Sequence, residues 1–156
     1  MTGRGLLLAE LEKVTENCCR LFSLVQEEHL SWRPQDNMRS LSELANHLAQ
    51  IPAVDLHIMQ GVPEPKLIEL EENLQRASQE QWSSVMRQGC EELTGFMAKL
   101  SFDEFENNSG TAYYGRTQTF VQWLLEVVTH IFHHRSQLFM YLKLNGYDVD
   151  TRTLYS

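Results

Sequence analysis

The sequence predicts an all-α protein that folds as one bundle of four long helices. Apolar residues recur at spacings of three and four along most of the chain, as on the buried face of a helix. Glycine and proline are sparse, with eight and four residues, and they separate the periodic stretches. Long helices with short connections are typical of an antiparallel bundle. The 156 residues fit a single domain, residues 1–156, that is large enough to bury a core.

The first helix is predicted over residues 5–29, where one apolar stripe continues. Its members are Leu7, Leu8, Leu11, Val14, Cys18, Leu21, Phe22 and Val25. We expect Trp32-Arg33-Pro34 to stop this helix, because proline disfavours helical angles in the residue before it. The second helix is predicted to begin near Ser40, since Glu43 stands at the capping-box spacing. Pro52 lies within this helix and is expected to kink its axis.

The third helix is predicted over residues 66–100, with a bend at the polar segment ASQEQ. Residues 101–117 lose the helical period and are expected to lie outside the helices. Within them, residues 107–110 (NNSG) have turn chemistry, so their flanks are expected to pair as a short hairpin. The fourth helix is predicted from Thr117 to Leu144, and Gly146 is expected to provide a left-handed C-cap.

Charge and hydropathy exclude several classes of protein. The net charge is −8, from 13 Lys+Arg against 21 Asp+Glu, and no basic cluster offers a nucleic-acid footprint. No apolar run approaches the roughly 18 residues of a membrane span, and the N-terminal LLLA is too short for a secretory signal. We therefore expect a soluble, cytoplasmic protein with neither nucleic-acid nor membrane partners. Cys18, Cys19 and Cys90 form no disulfide framework and no CxxC motif, so buried thiols are expected, with a reactive Cys19 as the alternative.

Three of the six histidines lie on predicted apolar faces. His130 and His134 are about 40° apart on the fourth helix, and His47 lies in the apolar stripe of the second. A buried imidazole needs partners for its ring nitrogens, and one such residue alone is most often a satisfied core histidine. Three that converge could bind one cation and leave a coordination position open, as in catalytic zinc sites. Spacing alone leaves a metal centre and a set of core histidines as equal alternatives.

Other polar residues near these faces are weaker candidates. A zinc-protease motif is absent, since Ile131 follows His130. His29 and His57 are expected at the surface. Side chains placed to orient a ligand or a water molecule, or to serve as a fourth ligand, are Gln137, Tyr141, Glu43 and Glu126. For the two glutamates, an ordinary solvated position is the favoured interpretation.

Two segments resemble a known family. LSELANHLAQI around His47 and THIFHHRSQLFMYLKLNG around His130 and His134 are similar to the DinB-like, or YfiT-like, bacterial four-helix bundles. The H-x-x-H-H-R-x-Q-L run is the specific part of a resemblance that covers nearly the whole chain. It implies an up-down-down-up bundle, a homodimer and a divalent metal, zinc or nickel, held by His47, His130 and His134 with water completing the shell. His133 matches a position that is not a ligand, and Ser136 departs from the usual glycine.

The resemblance also implies a range of functions. Some relatives are thiol-dependent transferases or isomerases in which a metal activates a small thiol. The first hypothesis is therefore a metal-dependent hydrolase or transferase acting on a small molecule, in particular a thiol S-transferase on small electrophiles. The second is a non-catalytic, dimeric metal-binding bundle of a stress response. An open metal position facing a ligand-sized pocket favours the first hypothesis, whereas a pocket filled by Trp123 and Tyr141 favours the second.

Overall fold

The structure, a computed structural model, describes residues 2–155. Within that range the helices are α1 (Gly3–Leu24), α2 (Leu41–Met59), α3 (Glu64–Gln75), α4 (Trp82–Lys99), α5 (Phe102–Asn107), α6 (Phe120–Leu144) and α7 (Thr151–Tyr155). Two short antiparallel strands, β1 (Ser109–Thr111) and β2 (Thr117–Thr119), pair with Gly110 opposite Gln118. No helix in residues 2–155 combines the length and the apolar character needed to cross a bilayer.

The four long helices, α1, α2, α4 and α6, share one core. Helices α1 and α2 each pack against both α4 and α6, while α3 covers α2 and α7 lies against α1. The largest fully buried side chains come from these helices and from α5: Leu11, Leu21, Leu41, Leu44, Leu48, Ile51, Met59, Met86, Leu93, Met97, Phe105 and Leu124. The all-α prediction is confirmed. The up-down-down-up order stays a prediction from the resemblance.

Helix α2 carries the first candidate histidine, and two local features position this helix. The Ser40 hydroxyl accepts from the Glu43 backbone N–H at 3.2 Å, and the Ser40 N–H donates to the Glu43 carboxylate at 2.7 Å, so the predicted capping box is confirmed. Pro52 lies inside α2 and is buried. A Cβ on Gly89 of α4 would stand 2.8 Å from the Ala53 nitrogen, so the glycine allows α2 and α4 to approach closely at this point.

The ends of the first and third predicted helices differ from the expectation. Helix α1 ends at Leu24 rather than near residue 29, and a 3-10 turn follows at Glu27–His29. The three residues 26–28 are exposed, so no buried contact holds another helical turn. The predicted third helix is two helices, α3 and α4, separated by a 3-10 turn at Gln79–Gln81, and the bend expected at ASQEQ is confirmed.

The segment before the last long helix was predicted only in part. Residues 102–107 form α5 instead of lying outside the helices, because Ser101 and Glu104 make a capping box that the periodicity does not reveal. A hairpin follows, but Ser109 and Gly110 lie in β1, and the turn instead contains Gly115 with φ +88°. The prediction of a turn at residues 107–110 is therefore wrong.

Helix α6, which carries the other two candidate histidines, begins later than predicted. It starts at Phe120 rather than Thr117, since Thr117–Thr119 is strand β2 and the Thr119 hydroxyl caps the helix by accepting from the Gln122 N–H at 3.4 Å. Its other end agrees with the prediction, because Gly146 has φ +80° and follows the last turn.

The three cysteines are free and buried, as the sequence predicted. Burial is the largest cause that raises the pKa of each thiol above its ordinary value. The Cys19 Sγ lies 3.8 Å from the Ser83 carbonyl oxygen, to which it donates. A thiol with a raised pKa is a poor nucleophile, so nothing in its surroundings supports the alternative of a reactive Cys19.

Candidate metal centre

Three imidazoles from two helices meet where α2 packs against α6. His47 comes from α2, and His130 and His134 lie one turn apart on α6. A nitrogen of each ring lies within 4.8 Å of those of the other two. The Nε2 atoms of His47 and His134 are 3.1 Å apart. The structure thus brings together the three histidines that the sequence singled out, although 83 residues separate the first from the second.

The outward nitrogens of two rings are held by acceptors. His130 Nδ1 lies 2.9 Å from Asp55 Oδ2, and His134 Nδ1 lies 2.7 Å from Gln137 Oε1. A carboxylate only accepts hydrogen bonds, so we assign the proton of His130 to Nδ1, and by the same argument that of His134 to Nδ1. Both rings then direct an unprotonated Nε2 toward the centre. An imidazole held by an acceptor on its far side is the usual arrangement around a protein-bound metal.

The closest pair of ring nitrogens has the spacing expected of two ligands of one divalent cation. Nitrogen–metal distances of about 2.0–2.1 Å at tetrahedral angles place neighbouring ligand nitrogens about 3.3 Å apart, and the His47–His134 separation is 3.1 Å. Two lone pairs that face each other at this distance repel unless a proton or a cation lies between them. Zinc and nickel both accept imidazole ligands. The three residues that would hold the ion are His47, His130 and His134.

The surroundings keep two of the imidazoles neutral. Burial is the largest cause that lowers the pKa of His47 to about 3, with the nearby charge of Arg39 next. Burial likewise lowers the pKa of His134 to about 4. The third ring differs, because its hydrogen bond to Asp55 raises the pKa of His130. Burial raises the pKa of Asp55 itself. Since metal binding requires neutral imidazoles, two of the three rings are already in the binding form at neutral pH.

These pKa values predict how the metal-free protein responds to acid. The folded-state pKa values of His47 and His134 lie below the unfolded value of about 6.5. Between about pH 6.5 and pH 5 the unfolded chain therefore takes up protons that the folded protein does not, and the free energy of unfolding falls as the pH falls. The raised pKa of His130 opposes this trend mainly above pH 6.5.

The measurement is urea unfolding in the presence of a chelator at several pH values. A His47→Gln/His134→Gln double variant removes both depressed groups and should flatten the dependence in this window. An equal slope in the double variant and the unsubstituted protein would contradict the assignment of buried, neutral rings.

Asp55 is the residue of the site that the sequence analysis missed. Its side chain is 14% exposed and its carboxylate contacts His130. A signal was present, because Asp55 is the one charged residue in the buried stretch IPAVDL and stands eight residues after His47. At 100° per residue this places the two about 80° apart on α2, two turns from each other. Asp55 fixes the orientation and the tautomer of the His130 ring, so we describe it as a positioning residue.

Replacing Asp55 with asparagine should weaken metal binding by about 10- to 100-fold, the range typical of such outer partners. The amide keeps the size of the side chain but loses the charge that favours the Nδ1–H tautomer of His130. The matched control is Glu126→Gln, since Glu126 is bound by Arg116 at 3.0 Å and by Gln118 at 2.7 Å rather than by a histidine. Competition with a chromophoric chelator measures both affinities, and equal affinities would refute the role of Asp55.

The other candidates from the sequence lie outside the triad. Glu43 caps α2 and lies 3.4 Å from Arg33, and Glu126 pairs with Arg116, so the interpretation of both as ordinary helix glutamates is supported. His133 is exposed, and its ring contacts that of His134 with centroids 4.7 Å apart. Gln137 does contact the site through His134.

His29 and His57 are half-buried rather than at the surface as predicted. Each ring is held locally, His29 by the Tyr147 hydroxyl at 2.7 Å and His57 by the Ala53 carbonyl oxygen at 2.7 Å. These contacts cover the two rings without bringing either to the triad. The two rings are therefore less exposed than predicted, and neither histidine belongs to the triad.

A cavity of about 570 Å³ lies on the side of α2 and α3, and His47 is the member of the triad in its wall. Its other lining residues are polar: Arg39, Ser42, Glu43, Asn46, Gln50, Glu71 and Gln75. The two aromatic residues that were candidates to fill a pocket do not line it. Trp123 is buried and donates to the Gly110 carbonyl oxygen at 3.0 Å, and Tyr141 donates to the Arg39 carbonyl oxygen at 3.0 Å.

The fold and the site together define a helical-bundle protein with a triad of histidines at one helix contact. The family model of the DinB family matches residues 2–154, and the chain belongs to this family. A crystal structure assigned to the DinB family, from Exiguobacterium sibiricum, is 29% identical, with a TM-score of 0.86 and 98% of each chain covered. The DinB-like protein YjoA of Bacillus subtilis shares the fold at 14% identity, with a TM-score of 0.68 and 91% and 92% coverage of the two chains. No curated protein matches this chain.

Proposed function

We propose that the protein is a metal-dependent transferase that joins the sulfur of a small thiol to a small electrophile. The observation that carries the proposal is the cavity of about 570 Å³ with His47 in its wall, because it gives a small molecule access to the His47 side of the triad. Three imidazoles without a protein carboxylate among them leave a coordination position for a ligand, as in catalytic sites. A divalent cation held there supplies Lewis acidity, which lowers the pKa of a thiol ligand and makes it a nucleophile at neutral pH.

The residues of the chain have separate tasks in this proposal. His47, His130 and His134 hold the cation, while Asp55 and Gln137 orient two of the rings. His134 is buried, whereas His47 and His130 are half-buried, so a small molecule has access to the triad from the side of these two rings. In the reaction the thiol sulfur forms a bond to the electrophilic carbon, and the bond from that carbon to its leaving group breaks. The leaving group departs with the electron pair, and the thiol proton passes to water.

The alternative of a non-catalytic metal-binding bundle finds less support. It expects a closed ligand shell, or a pocket filled by Trp123 and Tyr141. Neither aromatic ring lines the cavity: Trp123 donates to the Gly110 carbonyl oxygen, and Tyr141 donates to the carbonyl oxygen of Arg39 at the edge of the cavity. A site open to small molecules is what an enzyme requires and what a purely structural site does not.

The test is a conjugation assay with 2-mercaptoethanol and 1-chloro-2,4-dinitrobenzene on protein loaded with zinc or with nickel. We expect thioether formation above the uncatalysed rate, lost on chelation and in a His47→Gln variant that remains folded. A loaded protein that accelerates the reaction no more than His47→Gln does would refute the proposed activity for this thiol and this electrophile.

We further propose that the chain forms a homodimer, as the resemblance implied. The support is a groove of about 610 Å³ between α1 and α4, together with the apolar Leu6 of α1, which is 58% exposed. The residues of this groove include Leu8, Ala9 and Gly95. Sedimentation should show a dimer, and a monomer at high micromolar concentration would contradict the proposal.

A further inference from the structure

Arg39 lies at the entrance to the triad. It precedes the N-cap Ser40 of α2 and lines the cavity that reaches His47. It also lines a second hollow of about 390 Å³, together with Gln137 and Tyr141. Gln137 is the residue that holds the His134 ring, so Arg39 borders one hollow that contains His47 and another that contains the partner of His134. Its backbone is fixed there, because its carbonyl oxygen accepts from the Tyr141 hydroxyl at 3.0 Å.

The guanidinium of Arg39 has no hydrogen-bond or ion-pair partner among residues 2–155. Its neighbour Arg33 differs, since it donates to the Met38 carbonyl oxygen at 3.0 Å and lies 3.4 Å from the Glu43 carboxylate. Glu43 is thereby occupied by Arg33 and by the Ser40 N–H. The guanidinium of Arg39 is therefore available to an anionic ligand that enters the cavity.

The charge of Arg39 acts on the site as well as on the entrance. Burial is the largest cause that lowers the pKa of His47 and of His134, and the positive charge of Arg39 is a smaller cause in the same direction. The imidazoles are neutral ligands, so they do not offset the positive charge of a bound cation. Of the carboxylates in the cavity wall, Glu43 is paired, which leaves Glu71 on α3 as the opposing charge. Arginine presents a planar pair of donors that matches a carboxylate.

We propose that Arg39 is a specificity-determining residue that binds a carboxylate of the small molecule entering the triad. The proposal deepens the transferase function proposed above, because it names the chemistry of the ligand. The carboxylate belongs either to the thiol or to the electrophile, and these are separate arms of one experiment. A carboxylate held by Arg39 keeps the reacting end of the molecule on the side of His47.

The experiment measures binding by calorimetry on zinc-loaded protein with two matched pairs of probes. The thiol pair is 3-mercaptopropionate and 2-mercaptoethanol, and the electrophile pair is chloroacetate and chloroacetamide. In at least one pair the carboxylate should bind about three- to tenfold tighter than its neutral counterpart, a modest ratio because Arg39 is exposed to solvent. Arg39→Gln should remove this preference while the neutral probe binds as before, and Arg39→Lys should retain part of it.

Arg76→Gln is the matched control, since it removes the same charge from an exposed arginine that does not line the cavity. The zinc stoichiometry of each variant reports whether the triad is intact. The inference would be overturned if Arg39→Gln still preferred the carboxylate probe, or if Arg76→Gln lost the preference equally. It would also be overturned if neither pair of probes showed a preference in the unsubstituted protein. Binding and turnover are read separately, so an Arg39-dependent preference without thioether formation would overturn the proposed activity and leave this inference standing.

Discussion

Replacing His134 with alanine is expected to weaken metal binding by more than about 100-fold, while replacing His133 with alanine should change it little. His134 is 7% exposed and directs Nε2 to within 3.1 Å of His47 Nε2. Its loss removes one of three ligands, a larger change than the 10- to 100-fold effect of an outer partner. His133, the residue before it on α6, is exposed, and it does not belong to the group of converging ring nitrogens.

The pair of variants forms its own control, because both remove an imidazole from the same turn of α6. Both are expected to stay folded, since the core around them is built from aliphatic and aromatic side chains. Titration of the chelated protein with zinc gives the two affinities, and circular dichroism gives the helix content. If His133→Ala lost the metal and His134→Ala kept it, the ligand on α6 would be misassigned by one residue.

Replacing Gly110 with alanine should destabilise the fold by about 3 kcal/mol or more, at the upper end for inserting a methyl group into a packed contact. A Cβ on Gly110 would overlap the carbonyl oxygen of Met59 and approach the Phe120 ring to 3.3 Å. The backbone of β1 is held in place, because the Gly110 carbonyl oxygen accepts from the buried Trp123 indole at 3.0 Å. Moving β1 to relieve the overlap would break this bond and leave a buried donor unpaired.

Gly95→Ala on α4 is the control for this substitution. Nothing lies within 4 Å of a Cβ at that position, so alanine should be neutral or stabilising by about 0.4–1 kcal/mol through its higher helix propensity. Urea unfolding of the two variants compares their free energies of unfolding. A Gly110→Ala protein as stable as Gly95→Ala would show that the strand does not pack against the end of α2 as described.

The sequence predicted the long helices well because each carries its own apolar stripe and its own terminal signals. The capping box at Ser40 and the left-handed Gly146 are both local, and both are confirmed. The convergence of His47 with the α6 histidines was predictable for a related reason, since polar rings on apolar faces must meet other polar groups. Helical geometry placed His134, one turn after His130, on the apolar face rather than the adjacent His133, and the resemblance then implied that His134 is a ligand.

The parts that were missed depend on short-range or long-range contacts that periodicity does not show. Helix α5 is only six residues long and is held by the Ser101 capping box and by the burial of Phe105. The turn was placed at residues 107–110 because their composition suits one, but Gly110 is used instead for its lack of a side chain beside Met59. Asp55 was passed over because its role exists only after α2 and α6 have packed.

The central claim is that His47, His130 and His134 together hold one divalent cation. Anomalous diffraction at the zinc edge, from crystals of zinc-loaded protein, tests it directly. The account predicts one strong peak per chain at the contact of α2 with α6, about 2.0–2.2 Å from a ring nitrogen of each of the three histidines. The claim would be contradicted by a peak within bonding distance of His133, or by the absence of a peak between the three rings in protein that carries zinc.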